Sequence, residues 1–276
     1  MSKNLWLYWE NLPGVQEYPY ISLCRKVIKY HSEGLNLRVV TPDNLKRFLP
    51  DLHPNIEKIT RTGFGSEPCL AIKTGIIRVF LLEKYGGLYL DSDAIPLRPL
   101  APILYELEHY EFIGVRRVTA PTKHVANNFM ATNARGGLIT EYANLIREHL
   151  DHRSDFYWGE IGAHMLTPLV DKNLAHVKLY PEEKIHPIVA EKQYLFMSKK
   201  ASICDVIPRD AHIAMLFHDL FVGPCKGKLR HGLLPSKKGW LNGWSEERLY
   251  SANILLSKIF RHAYPLKDAQ KLLDLN

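Results

Sequence analysis

A chain of 276 residues, 46% hydrophobic and 24% charged, has a globular composition and the length to bury a substantial core. No apolar run approaches the roughly 20 residues of a membrane-spanning helix, and no long apolar segment opens the chain, so the expected location is the cytoplasm. Cys24, Cys69, Cys204 and Cys225 are scattered without a C-x-x-C pair, which reads as free thiols and argues against zinc.

Leu5 to Trp9 reads as a buried strand, Tyr20 to Tyr30 as a helix and Leu37 to Val40 as a second strand. This alternation predicts an α/β fold with a mainly parallel central sheet of nucleotide-binding type. Thr41-Pro42-Asp43 opens a short helix to Phe48, and Pro50 ends it. Ile72, Ile76, Val79 and Phe80 recur at three- and four-residue spacing and predict a helix. Gly86-Gly87 supplies its stop, where a left-handed residue is wanted. Leu88 to Leu90 is a short strand, and Pro96 and Pro99 forbid a helix in the run that follows. Phe112 to Val115 and Phe129 to Thr132 are further strands. A turn at Arg135-Gly136-Gly137 leads into a helix from Leu138 to about Leu150. Trp158 to Gly162 is punctuated by glycine and turns helical near Met165. His212 to Phe217 reads as a late strand that ends at His218-Asp219. From about Ser245 the pattern is helical and basic, broken at Pro265. Residues 1–222 are expected to form one domain, with 223–276 a basic, helical appendage packed on or beside it.

The most informative stretch is Tyr85-Gly86-Gly87-Leu88-Tyr89-Leu90-Asp91-Ser92-Asp93. Residues i and i+2 of a strand point to one side, so Asp91 and Asp93 at a strand end can reach one hard cation. Mg²⁺ and Mn²⁺ prefer oxygen ligands and take the remainder from phosphate and water. In open α/β sheets ligands also bind beyond the carboxyl ends of strands.

The run from Lys73 to Leu100, with Arg78 on the helix and the Gly-Gly-x-Tyr-x-Asp-x-Asp pattern behind it, resembles the DXD sugar-binding region of glycosyltransferase family 32. Leu5 to Glu10 resembles that family's opening strand, and Leu37 to Leu45 its second strand and loop. The resemblance is strong over roughly residues 5 to 100 and thinner to about 220. One position departs from it: the family's Asp three residues before the helical Arg is Gly75 here. The resemblance implies a GT-A-like fold, a nucleotide diphosphate sugar as donor, Mn²⁺ or Mg²⁺ as cofactor, and retention of anomeric configuration.

Asp93 is then expected to ligate the metal directly, and Asp91 to share ribose, donor sugar and metal-bound water. Arg78 is expected to hold the aspartates or donate to the donor, against a reading as a solvated helix Arg. Trp9, at the edge of the first strand, is expected to stack on the base, against a reading as core. Asn128, beside Asn127, offers donors and an acceptor to sugar hydroxyls, against an Asn-Asn turn. Glu160, with Asp155 as the weaker choice, is expected on the acceptor side of the donor sugar; the bland reading is a carboxylate at a helix N-terminus. His218 is expected near the metal or diphosphate, against a satisfied core or surface histidine.

The net charge of +7 is uneven: Lys226, Lys228, Arg230, Lys237 and Lys238 precede Trp240 and Trp244. This segment reads either as a solvated loop whose tryptophans fold back on the core, or as a surface that meets anionic lipid headgroups at the inner face of a membrane. No motif supports nucleic acid. The function expected is transfer of a hexose or N-acetylhexosamine, from a UDP-sugar, to an oligosaccharide or lipid-linked saccharide in capsule, polysaccharide or glycolipid synthesis. Two other readings stay open: a non-catalytic nucleotide-sugar or carbohydrate-binding protein, which Gly75 keeps alive, and a glycosyltransferase effector that modifies a protein.

Overall fold

The computed structural model describes residues 2–11, 14–222 and 239–265. The basic stretch from Lys226 to Lys238 lies outside the described residues. The strands are β1 (Asn4–Tyr8), β2 (Asn36–Val40), β3 (Thr60–Arg61), β4 (Gly87–Leu90), β5 (Ala94–Pro96), β6 (Phe112–Arg116), β7 (Val125–Thr132), β8 (Asp155–Phe156), β9 (Val177–Tyr180) and β10 (Ile213–Met215). The helices are α1 (Pro19–Tyr30), α2 (Pro42–Phe48), α3 (Leu70–Tyr85), α4 (Ala101–Tyr105), α5 (Gly137–His152), α6 (Met165–Lys172), α7 (Glu182–Ile185), α8 (Ile203–Val206), α9 (His218–Phe221), α10 (Glu246–Ser251) and α11 (Leu255–Ala263). Among the described residues, no helix is long and apolar enough to cross a membrane.

The chain divides into two compact units. The first comprises Met1–Leu12, Gly34–Asp91 and Ala101–Glu182; the second comprises Pro13–Glu33, Ser92–Leu100 and Glu183–Asn276. The division falls inside the Asp-Ser-Asp stretch, with Asp91 in the first unit and Asp93 in the second.

The first unit is built on a six-stranded sheet of order β2-β1-β4-β7-β6-β9. β1 is parallel to β2 and β4, β6 is parallel to β9, and β7 is antiparallel to both neighbours. This is the mixed, mostly parallel α/β sheet that the strand and helix alternation predicts. Leu5, Trp6, Leu7 and Tyr8 are all buried, which is why β1 reads as a continuous apolar run and not as an alternation. β1 stops one residue short of the predicted Trp9, whose N–H still donates to the Val40 carbonyl (3.0 Å). Thr41 and Asn44 form a reciprocal capping box that starts α2.

α3 is buried along most of its length, Lys73 and Arg78 included. It ends at Gly86, with φ 61° and ψ −172°. That is a positive-φ residue but not the left-handed helical cap predicted; its extended ψ sends the chain straight into β4. A Cβ at Gly86 would lie 2.5 Å from Ala134 N, and one at Gly87 2.3 Å from the Asn4 carbonyl oxygen. Both glycines are therefore required by close backbone approach as well as by φ.

The second unit holds the antiparallel pair β5–β10, in which Pro96 is opposite Ile213. Leu100 N–H donates to the His31 carbonyl (2.9 Å), and His31 Nε2 lies 2.8 Å from the Ala263 carbonyl. Lys26 of α1 pairs with Glu246 of α10 at 2.6 Å. Trp240 is half-buried, edge-on to Phe221 with centroids 6.3 Å apart, and Trp244 lies under the Arg248 guanidinium at 4.1 Å. The described cysteines, Cys24, Cys69 and Cys204, are free thiols.

Candidate active site

β4 ends at Leu90, so Asp91 is the first residue beyond the carboxyl end of a central strand. α3 runs back over the sheet and brings Arg78 to it. The Arg78 Nη2 is 2.8 Å from Asp91 Oδ1, its Nη1 donates to the Asn127 carbonyl (2.6 Å), and its Cζ stands 4.9 Å from the Tyr89 ring centroid. The guanidinium is 5% exposed. This pair is a charge-assisted contact in a low-dielectric setting, where a one-sided loss leaves a buried charge. Burial pushes the Asp91 carboxyl above its ordinary value, and the Arg78 charge offsets only part of that rise.

β7 completes this corner. It pairs with β4 so that Leu90 faces Phe129, and Asp91 N–H donates to the Asn128 carbonyl (3.0 Å). The Asn128 side-chain Oδ1 is buried without a hydrogen-bond partner. A buried amide oxygen left so costs about 1–3 kcal/mol.

At the end of β1, Trp9 is half-buried and its Nε1 donates to Asn11 Oδ1 (2.7 Å). Glu10 accepts from the Tyr8 hydroxyl (2.6 Å) and pairs with Lys73 Nζ at 3.0 Å; Lys73 also meets Glu57 at 2.8 Å. Burial alone would lower the Lys73 pKa, but hydrogen bonds to Glu57 and Glu10 outweigh it and the net direction is upward. Sequence reasoning missed this chain of groups. The signal for it is Lys73, which follows Leu70, Ala71 and Ile72 in the first turn of α3.

Gly75 sits one helical turn before Arg78. A Cβ there would meet Ile161 Cγ2 at 3.3 Å and Asn127 Nδ2 at 3.6 Å. Ile161, from a single π-helical turn, Glu160–His164, thus packs closely against Gly75. Glu160 is 4% exposed; its carboxylate pairs with Arg153 and accepts from Tyr157 N–H (3.1 Å). It therefore anchors the turn that carries Tyr157 and Trp158. Asp155 accepts from the Thr62 hydroxyl (2.8 Å).

In the second unit, the Asp93 carbonyl accepts from Leu216 N–H (3.1 Å). Burial, and next the charge of Asp93, push the buried Cys24 thiol up. His218 Nδ1 shares a hydrogen bond with the Tyr20 hydroxyl, and the Tyr18 ring stands edge-on at 5.4 Å. Tyr20 and His218 are 198 residues apart, too far for any spacing rule to link them. Among the described residues no three His, Cys, Asp or Glu side chains gather into one metal cage. Mg²⁺ and Mn²⁺ bound with a nucleotide require no such cage, because one or two carboxylates and the substrate's phosphates complete the shell. The hard oxygens of Asp91 and of the unpartnered Asn128 amide fit that chemistry.

Residues 16–110 match the glycosyltransferase sugar-binding region containing the DXD motif. That span includes Gly75, Arg78, Asp91 and Asp93. No curated protein matches the chain. Among solved structures, the glycosyltransferase GlyE of Streptococcus pneumoniae is similar at 13% identity and a TM-score of 0.50, over 99% of this chain and 62% of that one. This chain therefore spans less than two thirds of the GlyE chain. A galactosyltransferase, LgtC, in complex with donor and acceptor sugar analogs is similar at 11% identity and a TM-score of 0.45, over 97% of this chain and 99% of that one. The PaToxG glycosyltransferase follows at 16% identity and 0.43, over 63% of this chain and 70% of that one. At these identities the likeness is one of fold, the GT-A type.

Proposed function

We propose that this chain is a metal-dependent glycosyltransferase that moves a hexose or N-acetylhexosamine from a UDP-sugar to a saccharide acceptor, with retention, in polysaccharide or glycolipid synthesis. The observation that supports it best is the pair of buried Arg78 with Asp91 inside the DXD-containing stretch, next in the sheet to Asn128 with its unpartnered side-chain oxygen. In this reading Arg78 aims Asp91 and favours its ionised form, and Asn128 receives a donor hydroxyl. Trp9 stacks on the base. Asp93 and Asp91, with His218, would hold Mn²⁺ or Mg²⁺. When bound, such a cation would supply positive charge to offset that developing on the leaving diphosphate. Glu160 acts on the acceptor side through the turn it anchors.

The test is a panel of UDP- and GDP-sugars with Mn²⁺, read as released nucleotide. Wild-type protein should release UDP, and Asp93→Ala should release none while its circular dichroism is unchanged. UDP binding without any release would support the non-catalytic alternative, and normal turnover by Asp93→Ala would remove the metal assignment.

A further inference from the structure

Three aromatic side chains stand out to solvent on one short ribbon of the first unit. β3 and β8 run parallel with Thr60 opposite Asp155 and Arg61 opposite Phe156, and Thr62 N–H extends the ladder to the Phe156 carbonyl (3.0 Å). Just beyond each strand the chain turns outward. Phe64 follows β3 and is 57% exposed; Tyr157 and Trp158 follow β8 and are 46% and 48% exposed. Trp6, by contrast, is buried and Trp9, Trp240 and Trp244 are half-buried, so exposure is not this chain's habit for tryptophan. Isolated exposed hydrophobics need no explanation, but a cluster does.

The cluster is organised. The Arg61 Cζ lies 3.9 Å from the Phe64 ring centroid and 5.2 Å from that of Trp158. Phe64 is held by its N–H to the Arg61 carbonyl (3.0 Å), between Gly63 and Gly65 at φ 81° and 73°. The Tyr157 ring abuts His164 edge-on at 5.2 Å, and its N–H is tied to the buried Glu160. Flat apolar faces, a guanidinium between them and the Thr62–Asp155 pair at the rim match a pyranose, which shows C–H bonds on one face and hydroxyls around its edge. A carboxylate at the rim does not suit an anionic lipid surface or a polyphosphate. Ile161, three residues after Trp158, packs on Gly75, one turn from the Arg78 that grips Asp91.

We propose that Trp158, Phe64 and Arg61, with Tyr157, form a stacking platform for a pyranose ring of the saccharide acceptor. This rests on the transferase reading above and names where its second substrate sits. The test uses tagged disaccharides of the gluco, galacto, manno and 2-acetamido series, with binding read by saturation-transfer NMR and calorimetry on the whole chain. At least one should bind, with saturation on its ring C–H protons. Trp158→Ala and Phe64→Ala should each weaken it by roughly tenfold or more, with thermal melting unchanged, and Trp158→Tyr should recover part of the loss. Absence of binding to every series, or equal binding by both alanine variants, overturns the platform. Nucleotide release from donor by wild-type protein is measured alongside. Release without saccharide binding leaves the transferase reading and removes the platform; platform-dependent binding without release does the reverse.

Discussion

Arg78 meets Asp91 and two backbone carbonyls, those of Thr74 and Asn127. Arg78→Met should leave the part-buried Asp91 carboxylate unpaired and lower unfolding free energy by about 1–3 kcal/mol, read by urea titration, with loss of nucleotide binding. Arg78→Lys should recover part of the stability and little of the binding, because an ammonium cannot reach both oxygens as a fork does. Asn128→Leu moves the two properties apart. It removes an unpartnered buried oxygen, so the melting temperature should hold or rise while donor affinity falls. Calorimetry beside thermal melting checks both. The sequence made Asp91 and Arg78 legible because local pattern placed them: a glycine pair, a strand end and a helix spacing. It could not show that Arg78 takes the Asn127 carbonyl, that Lys73 joins Glu10, or that Tyr20 meets His218. Those are pairings across the fold, and a backbone acceptor leaves no mark on residue identity.

At the scale of elements, α3 and the π-helical turn interlock through Gly75 and Ile161. Gly75→Asp should place a carboxylate against Ile161 and cost about 1–3 kcal/mol, more than its helix propensity returns. Adding Ile161→Ala should recover most of that loss, and a double-mutant cycle by chemical denaturation reads the coupling. No coupling would mean that the new side chain escapes elsewhere. Gly87→Ala should be far worse, on the order of 4–5 kcal/mol, since its Cβ meets the Asn4 carbonyl and its φ is 107°. The long buried elements were readable from apolar period. β9 was not, because its Val-Lys-Leu-Tyr run is short, and β5 was not, because Pro96 speaks against a strand until an edge position is known.

For the whole molecule, the charge of +7 is concentrated where Lys226, Lys228, Arg230, Lys237 and Lys238 lie. We expect reversible, salt-sensitive binding to anionic liposomes and none to neutral ones, each basic residue contributing about 1 kcal/mol near the surface. Changing all five to Gln should abolish sedimentation with the liposomes. Wild-type protein that stays in the supernatant at low salt would make the segment a solvated loop.

The pairing of β5 with β10 sets a timetable for synthesis. Among the described residues β5 has β10 as its strand partner, and Pro96 faces Ile213. A ribosome that has just finished β5 must add roughly 120 residues before that partner exists, a wait of roughly 6–24 s at ordinary elongation rates. During that interval an apolar strand edge is open to any passing chain. Pro96, which offers no N–H to such a visitor, shortens the adhesive part of that edge while the nascent protein waits for its own C-terminal half.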